Sequence, residues 1–233
     1  MKRLLLSVFL ISLTISVFSQ RREPFQNELY VGFGGGVLAS RIDFRPAILQ
    51  GLQYAPHAGI SIKHISDIDA SGTFRGGIIG EVNFAQRGWV EEFDLERHPD
   101  FAYSRALNYL EIPFMAHANV GRRNVRFIIH AGPQIGILLW NNYTMSETLT
   151  DHVATQEHPR YSRYGAIDRR FEYGIVGGSG LQLRTGVGVF NLEGRYYFGL
   201  GDIFENRRSR QAFFSRSSNQ VISVRLTYYM RIF

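Results

Sequence analysis

The feature that most constrains this chain is a regular alternation of apolar and polar residues, with no long helical pattern after the first twenty residues. Between residues 110 and 120 the apolar side chains occupy mainly the even positions, and between 125 and 139 they move to the odd positions. A period of two gives a strand two different faces, one suited to hydrocarbon and one to polar groups. In a secreted chain, segments of about ten or more such residues are typical of a transmembrane β-barrel.

The N-terminus has the pattern of a secretory signal peptide. Lys2 and Arg3 precede an apolar run at 4–18, and Ser19 is small enough for the last position before a cleavage site. The alternative, a retained helical anchor, would need a longer apolar run to span the bilayer. We therefore predict a signal peptide at 1–19. No cysteine stands at the cleavage site, which excludes a lipid-anchored lipoprotein.

Composition limits what the mature chain can be. No later segment has the about 20 continuous apolar residues of a membrane helix, and a spanning chain without such helices must close into a barrel. Cysteine is absent, so disulfides, thiolate metal sites and cysteine nucleophiles are excluded. Residues 20–233, which we predict to be one outer-membrane β-barrel domain, suffice for about eight strands. They are too few for a large porin or for a transporter with a plug.

The basic pI of about 9.7 raises the question of nucleic acid. The arginines are scattered through predicted strands and loops, and they form no single basic face with interleaved aromatic residues. We therefore expect no nucleic-acid partner.

The alternation predicts an all-β fold, an eight-stranded antiparallel up-and-down transmembrane barrel. Its connections alternate in length: those at 66–72, 121–124 and 184–186 are short, whereas the other four are long and polar. Long loops are usually external in such barrels, so we expect an outer-membrane protein with both termini in the periplasm. The predicted strands are 29–38, 57–65, 74–87, 103–120, 125–140, 170–183, 187–200 and 220–232.

Aromatic residues near the predicted strand ends favour a girdle at each membrane interface. Phe233 ends the chain but is out of phase with the apolar face of the last strand, so its role as an insertion signal stays open. The outer girdle would comprise Trp89, Tyr103, Trp140, Tyr143, Tyr196 and Phe198, and the inner girdle Tyr228 and Phe233.

The face opposite the predicted lipid face collects charged side chains. An eight-stranded barrel is only wide enough for side chains, and an unpaired buried charge costs several kcal/mol. We therefore predict a filled, ion-paired lumen without an open pore. The residues expected to form this structural network are Glu81, Glu111, His117, Arg126, His130, Glu172, Glu193, Arg195 and Arg225.

Two motifs offer chemistry, and neither supports a site. The spacing of His64 and Ser66 resembles that of the outer-membrane lipid A deacylases, but the predicted topology places the pair at the end away from the outer leaflet. His152 and His158 lie near carboxylates in a long loop, although their spacing matches no standard metal site. The glycine-rich runs precede no helix that could hold phosphate. We expect no catalytic residue, cofactor or metal.

Several segments resemble the PorT-like outer-membrane barrel family of Bacteroidota. Residues 109–113 (YLEIP), a tight turn and residues 131–136 (AGPQIG) resemble the central hairpin of that family. Residues 80–84 (GEVNF) are similar to its third strand, and residues 32–36 (GFGGG) to its first. The resemblance implies an eight-stranded outer-membrane barrel and, for most members, no established activity.

The founding member of that family is similar to a component of the type IX secretion system, and the shared motifs are scaffold residues. Our leading hypothesis is a non-enzymatic barrel with a structural or interaction role, with a place in that secretion system as one option. The expected partners are outer-membrane lipid, lipopolysaccharide and secretion or other envelope proteins that contact the loops. The alternatives are a narrow pore or ligand-binding barrel, and a lipid-modifying enzyme.

Two of the long loops carry opposite charges, which allows them to latch across the barrel mouth or to present a dipolar face to a partner. We expect the latch. The acidic loop contains Glu91, Glu92, Asp94, Glu96 and Asp100, and the basic loop contains Arg207, Arg208, Arg210 and Arg216.

Overall fold

Eight long strands follow one another along the chain. The computed structural model describes residues 27–232 apart from 70, 95, 123, 157 and 206–212. A two-residue strand, Gln50–Gly51, pairs with the end of the third long strand. The long strands are β1 (Asn27–Arg45), β2 (Gln53–Asp67), β3 (Phe74–Glu91), β4 (Tyr103–Arg122), β5 (Val125–Met145), β6 (Phe171–Thr185), β7 (Gly188–Gly199) and β8 (Arg216–Arg231). Helix α1 (Glu147–Thr155) and a 3-10 helix (Pro159–Tyr164) lie between β5 and β6.

The strands form a closed antiparallel ring. Each pairs with its chain neighbours, and β1 also pairs with β8, from Tyr30 opposite Arg231 to Arg45 opposite Arg216. Closure leaves no sheet edge unpaired, which is what a strand structure needs in lipid. The predicted eight-stranded all-β barrel is confirmed. The predicted signal peptide and Phe233 lie outside the described residues.

The connections distinguish two ends of the barrel. At the short-turn end the strands are joined by 68–73, 123–124 and 186–187; at the long-loop end they are joined by 46–52, 92–102, 146–170 and 200–215. In the first of the short turns, Gly72 has φ +62°, a conformation that favours glycine. Several strands run past the predicted ends toward the long-loop end, since β1 continues to Arg45 and β8 begins at Arg216.

The outer surface is an apolar band. On β8, for example, Ile222, Val224, Leu226 and Met230 are 47–59% exposed, while Arg225, Thr227 and Tyr229, which alternate with them, are buried. The other strands repeat this alternation, which places large apolar side chains on the outside of the ring. In the described part of the chain, no helix has the length and apolar character needed to cross a membrane.

A β-bulge in β5 shifts the alternation of inward and outward side chains by one residue. Asn108 on β4 pairs with Trp140 and Tyr109 pairs with Leu138, so the intervening Leu139 is the extra residue. Trp140 consequently faces outward and is half exposed, in a stacked contact with Phe84.

Two of the predicted girdle residues lie inside the barrel instead. Trp89 and Tyr103 are buried, so the prediction that they face lipid was wrong. Both share the parity of inward-pointing arginines, Arg87 on β3 and Arg105 on β4, and the alternation therefore directs them inward. Trp140, Tyr143 and Tyr196 are exposed near the long-loop end.

Candidate functional site: the lumen and the long-loop mouth

Four groups of ion pairs follow one another along the barrel axis, and β3 contributes to each. Arg75, Glu81, Arg87 and Glu91 all occupy odd positions, which face inward on this strand. Their spacing along β3 places the groups in order from the short-turn end to the long-loop end. We number them as layers one to four.

Layer one closes the short-turn end around Glu28, which is fully buried. The Glu28 carboxylate accepts hydrogen bonds from Tyr30 at 2.6 Å, from Arg75 at 2.6 Å and from Arg184 at 2.8 Å. Arg231 also lies 3.3 Å from this carboxylate. The sequence reasoning missed Glu28, because it placed the start of β1 at residue 29.

Lys63 lies between layers one and two, fully buried and with no carboxylate within 4.0 Å among the described residues. Its ammonium donates to the side-chain oxygen of Gln182 at 3.3 Å and lies 3.9 Å from the ring centroid of Tyr229. Ring faces attract cations, so the aromatic contact replaces part of the lost hydration. β2 and β6 stand opposite each other in the ring, and the bond between Lys63 and Gln182 therefore spans the lumen.

Layer two has a bidentate ion pair across the lumen. Arg195 donates to both carboxylate oxygens of Glu81 at 2.7 Å and also to Glu193 at 2.6 Å. β3 and β7 are opposite strands, so this pair joins opposite walls. Paired planar groups of this kind make strong, geometrically specific hydrogen bonds.

Two histidines and a second arginine complete layer two. His130 lies 3.7 Å from Glu193, and its ring lies 6.2 Å from that of His117, nearly parallel to it. Arg225 donates to the side-chain oxygen of Asn83 at 2.8 Å and has no ion pair with any residue in the described ranges. Hydrogen bonds to amides satisfy part of a guanidinium without neutralising it.

Layer three is centred on Arg87, which lies between two carboxylates. It forms an ion pair with Glu111 and a second one with Glu172 at 3.2 Å, and its guanidinium carbon lies 4.3 Å from the ring centroid of Tyr197. Asn219 donates to Glu172 at 2.7 Å. Arg87 was not among the predicted residues, although its parity matched that of Glu81, because it stood at the predicted end of its strand.

Charges balance in the central lumen. A cavity of 30 Å³ between layers two and three, lined by residues such as His57 and Ser223, has room for about one water molecule. Ion pairs such as Arg195 with Glu81 join opposite walls here, so the side chains fill the lumen and leave only this small cavity, although Nδ1 of His57 and Nη2 of Arg225 have no hydrogen-bond partner among the described residues. The buried carboxylates of layers two and three are Glu81, Glu111, Glu172 and Glu193, and the buried cations from Lys63 onward are Lys63, Arg87, Arg195 and Arg225.

Eight of the nine predicted lumen residues are buried in layers two and three, and six of them form ion pairs there, His130 through its contact with Glu193. Arg225 bonds to Asn83 without an ion pair. His117 makes its ring contact with His130 but no hydrogen bond within the described residues. Arg126 is half-buried at the short-turn end, where it donates to Asn119 at 3.0 Å and to the carbonyl of Gly72 at 2.9 Å.

An apolar plug fills the lumen above layer three. Phe44 is its centre, with ring centroids 5.4 Å from Trp89, 6.2 Å from Phe204 and 4.9 Å from Phe214. Leu149 of α1 is buried against the same cluster, which fixes the helix over the mouth. We call these residues the mouth plug.

Layer four ties the 3-10 helix to the rim of the barrel. Arg163 donates to the two carboxylate oxygens of Glu91 at 2.6 and 3.0 Å, and Tyr164 donates to the same group at 2.8 Å. Burial first, and then the negative charge of Glu91, raise the pKa of Tyr164. Burial alone would lower the pKa of Arg163, but the hydrogen bonds and charge of Glu91 hold it above its ordinary value.

The expected latch between the acidic and the basic loop was wrong for the residues that can be placed. Glu91 pairs with Arg163, from the connection between β5 and β6, because this connection folds over the mouth. Arg216 pairs with Asp43 on the adjacent strand at 3.0 Å. Arg207, Arg208 and Arg210 lie outside the described residues.

A cleft of 330 Å³ opens beside the mouth, between the connections at 46–52, 92–102 and 146–170. The last two are held together, since Ser146 exchanges hydrogen bonds with Ala102 at 3.0 and 3.2 Å and Thr148 donates to the carbonyl of Asp100 at 3.0 Å. The ring of His98 stacks on Phe101 at 4.4 Å.

The residues that the sequence analysis considered for catalysis or metal binding lie outside the lumen. The hydroxyl of Ser66 donates to Asn27 at the short-turn end. His152 contacts the hydroxyl of Tyr161 at 3.2 Å, while Nδ1 of His158 accepts from the backbone of Arg160 at 3.1 Å. No group of three histidine, aspartate or glutamate residues in the described ranges is placed to hold a metal ion.

The profile of one protein family matches most of the chain. The outer membrane protein β-barrel domain matches residues 18–205. The chain belongs to this family. It is therefore an outer-membrane β-barrel protein, as the closed ring and apolar outer band of the fold also require. The narrower PorT-like membership is not established by this match.

Solved structures with a similar strand arrangement include three outer-membrane proteins. The attachment invasion locus protein Ail of Yersinia pestis is 12% identical, with a TM-score of 0.39, and the alignment covers 88% of this chain and 99% of Ail. OprG from Pseudomonas aeruginosa is 8% identical, with a TM-score of 0.45 and coverage of 88% and 97%. The outer membrane protein AlkL is 11% identical, with a TM-score of 0.40 and coverage of 92% and 95%. No curated protein sequence matches the chain.

Proposed function

We propose that this protein is a non-conducting outer-membrane anchor that presents its long-loop end to the cell exterior as a binding surface. The observation that carries the proposal is the pairing of residues from opposite walls, above all the bidentate contact between Arg195 and Glu81. Cross-lumen pairs of this kind stabilise a fixed filling and leave no continuous path for ions. A structural or interaction role follows, and we propose no enzymatic activity.

The organisation of the long loops supports the second half of the proposal. The connection between β5 and β6 is held in a defined shape. Layer four bonds its 3-10 helix to Glu91, and Leu149 of α1 is buried in the mouth plug. Loops with this much internal packing lose little entropy on binding, so they suit recognition of a partner. The short-turn end has a depression of 410 Å³ beside Arg184 and Tyr228, but its connections are short and carry no helix within the described residues.

The orientation is tested by labelling intact cells. An epitope tag inserted at 97–99 should be detected by antibody on intact cells, because we expect the long loops outside. The matched control carries the tag at 186–187 and should be detected only after the outer membrane is permeabilised. The reverse pattern would remove the proposed binding surface from the exterior.

A role in type IX secretion stays a hypothesis that the described contacts do not favour. Residues 109–113 and 131–136, which carry the resemblance to the PorT-like family, lie within β4 and β5 and serve the barrel wall and lumen. Scaffold residues of this kind do not specify a partner. Normal export of type IX cargo by a deletion strain would remove the role.

The outer surface supports a proposal about lipid. Trp140 and Tyr143 on β5 are exposed near the long-loop end, and Arg41 and Arg45 are exposed at the same end of the barrel, on the opposite wall near the end of β1. Aromatic rings and cations at that level suit the headgroup region, where lipopolysaccharide phosphates lie. We propose lipopolysaccharide as the lipid partner of this rim.

A further inference from the structure

The cleft beside the mouth contains charged groups that the fold does not use. Glu92 and Arg160 both line it and are exposed, and neither side chain forms a hydrogen bond or ion pair with another described residue. In the lumen, by contrast, the carboxylates of Glu81, Glu172 and Glu193 are each paired with an arginine. Free charged groups in a concave site are available to a ligand.

Rings line the wall between these two groups. His98 stacks on Phe101, whose ring centroid lies 5.2 Å from that of His152. The ring of His152 lies 6.1 Å from that of Tyr161, which in turn lies 6.0 Å from that of Tyr164. The chain of contacts gives the cleft a continuous aromatic wall on a base already rigidified by layer four.

The charges of the cleft exclude several ligand classes. Glu91 and Arg163 neutralise each other, and Asp94 pairs with Arg97 at 3.5 Å. One carboxylate, that of Glu92, and one guanidinium, that of Arg160, remain without such a partner among the described residues. The free groups therefore carry no net charge that would attract a polyanion or a simple cation. A purely apolar ligand would use the rings but none of the free polar groups.

A neutral saccharide uses every part of this lining. Its hydroxyl groups donate to carboxylates such as Glu92 and accept from a guanidinium such as that of Arg160, and its carbon–hydrogen face lies against aromatic rings. The volume of 330 Å³ lies at the lower end of the range for small-molecule sites and suits about one or two sugar rings.

We propose that this cleft is a binding site for a neutral saccharide at the cell surface, and the proposal rests on the external orientation proposed above. The occupant is a mono- or disaccharide unit, free or at the end of a longer glycan. Wall contacts come from Phe101 and Tyr161, and polar contacts come from Glu92 and Arg160.

The test uses the full mature chain in a detergent without a sugar headgroup, first on an array of neutral and sulfated oligosaccharides and then by calorimetry with the best neutral disaccharide. We expect selective binding of neutral glycans, with a Kd in the range of about 0.1–1 mM for the disaccharide. Binding to sulfated glycans alone, or an empty array, would overturn the proposal.

Variants then locate the site. Tyr161→Ala should weaken binding about tenfold, and Arg160→Gln and Glu92→Gln should each weaken it about threefold or more. Arg160→Gln and Glu92→Gln remove no internal contact, so they remain informative if Tyr161→Ala fails to fold. Tyr54→Ala, at an exposed tyrosine on β2 outside the cleft, should bind like the wild type. Equal binding by all four variants would contradict the assignment of the cleft.

The same preparations separate this inference from the proposed function. If the array is empty while cell labelling still places the long loops outside, only the saccharide site fails. If labelling places the long loops in the periplasm, the proposed surface role fails whatever the calorimetry gives.

Discussion

The middle of the lumen and the cleft at the mouth contain similar residues and differ in how those residues are bonded. In the lumen, Arg195 is bonded to both Glu81 and Glu193, and all three are buried. In the cleft, Glu92 and Arg160 are exposed and unbonded to other described residues. Charged groups that neutralise one another hold the barrel together, whereas groups left free are available for recognition. The comparison makes burial and pairing, more than residue type, the guide to which arginines are structural.

The largest effect expected from this comparison is that of Arg195→Met. The substitution leaves the carboxylates of Glu81 and Glu193 buried without their cation, and breaking a buried pair in this way costs about 3–5 kcal/mol. Urea unfolding in micelles, followed by heat-modifiable gel mobility, measures the loss. Arg231→Met is the control, because its side chain is half exposed at the short-turn end. Equal stability of the two variants would mean that the lumen pair is not structural.

Truncating a residue of the mouth plug should lower the free energy of unfolding by nearly as much. Trp89→Ala removes a fully buried ring from contact with Phe44 and Phe204, and such truncations cost about 3–5 kcal/mol. Trp140→Ala removes the same side chain from the exposed outer surface and should cost less in the same unfolding assay. A larger loss for Trp140 than for Trp89 would contradict the inward placement of Trp89.

Layer four gives a smaller effect that depends on pH. Because the folded-state pKa of Tyr164 lies above its ordinary value of 10.0, its contribution is complete below pH 10 and decreases as the pH rises above that value, where only the unfolded chain ionises. The wild type should therefore lose stability above pH 10 more steeply than Tyr164→Phe. Melting in micelles at a series of pH values measures both slopes. Parallel slopes would show that Tyr164 is not protected by the fold.

The smallest effect is expected in the cleft. Arg160→Gln should change the free energy of unfolding by no more than about 0.5 kcal/mol, because the side chain is exposed and forms no hydrogen bond or ion pair with other described residues. The result sharpens the comparison with Arg195, which is the same residue type in a bonded and buried position. A loss of several kcal/mol would reveal an internal role for Arg160.

Much of the barrel follows from the sequence, because a period of two fixes both faces of every strand. The parity that placed Glu81 and Arg195 in the lumen also applies to Arg87, Trp89 and Tyr103. Arg87 was missed and Trp89 was misplaced because β3 was expected to end at residue 87, whereas Tyr103, the first residue of β4 as predicted, was assigned by its aromatic ring instead of its parity. Residues near a strand end were assigned by their chemistry, as girdle or loop residues, although the alternation still governed them.

The contacts across the lumen could not be predicted in the same way. Parity shows that Lys63 and Gln182 both face inward, but their hydrogen bond depends on the stagger of β2 against β6 around the ring. The cleft was harder still to predict from the sequence, because it depends on the pairing of Glu91 with Arg163, which are far apart in the chain. Its aromatic wall forms only when α1 and the 3-10 helix fold over the mouth.

The central claim is that side chains bonded across the barrel seal its lumen. Planar-bilayer recording tests this claim most directly. Purified mature protein inserted into the bilayer should give no large, steady conductance, because the layers of ion pairs and the mouth plug occupy the lumen. A large and persistent single-channel conductance from correctly folded, heat-modifiable protein would contradict it.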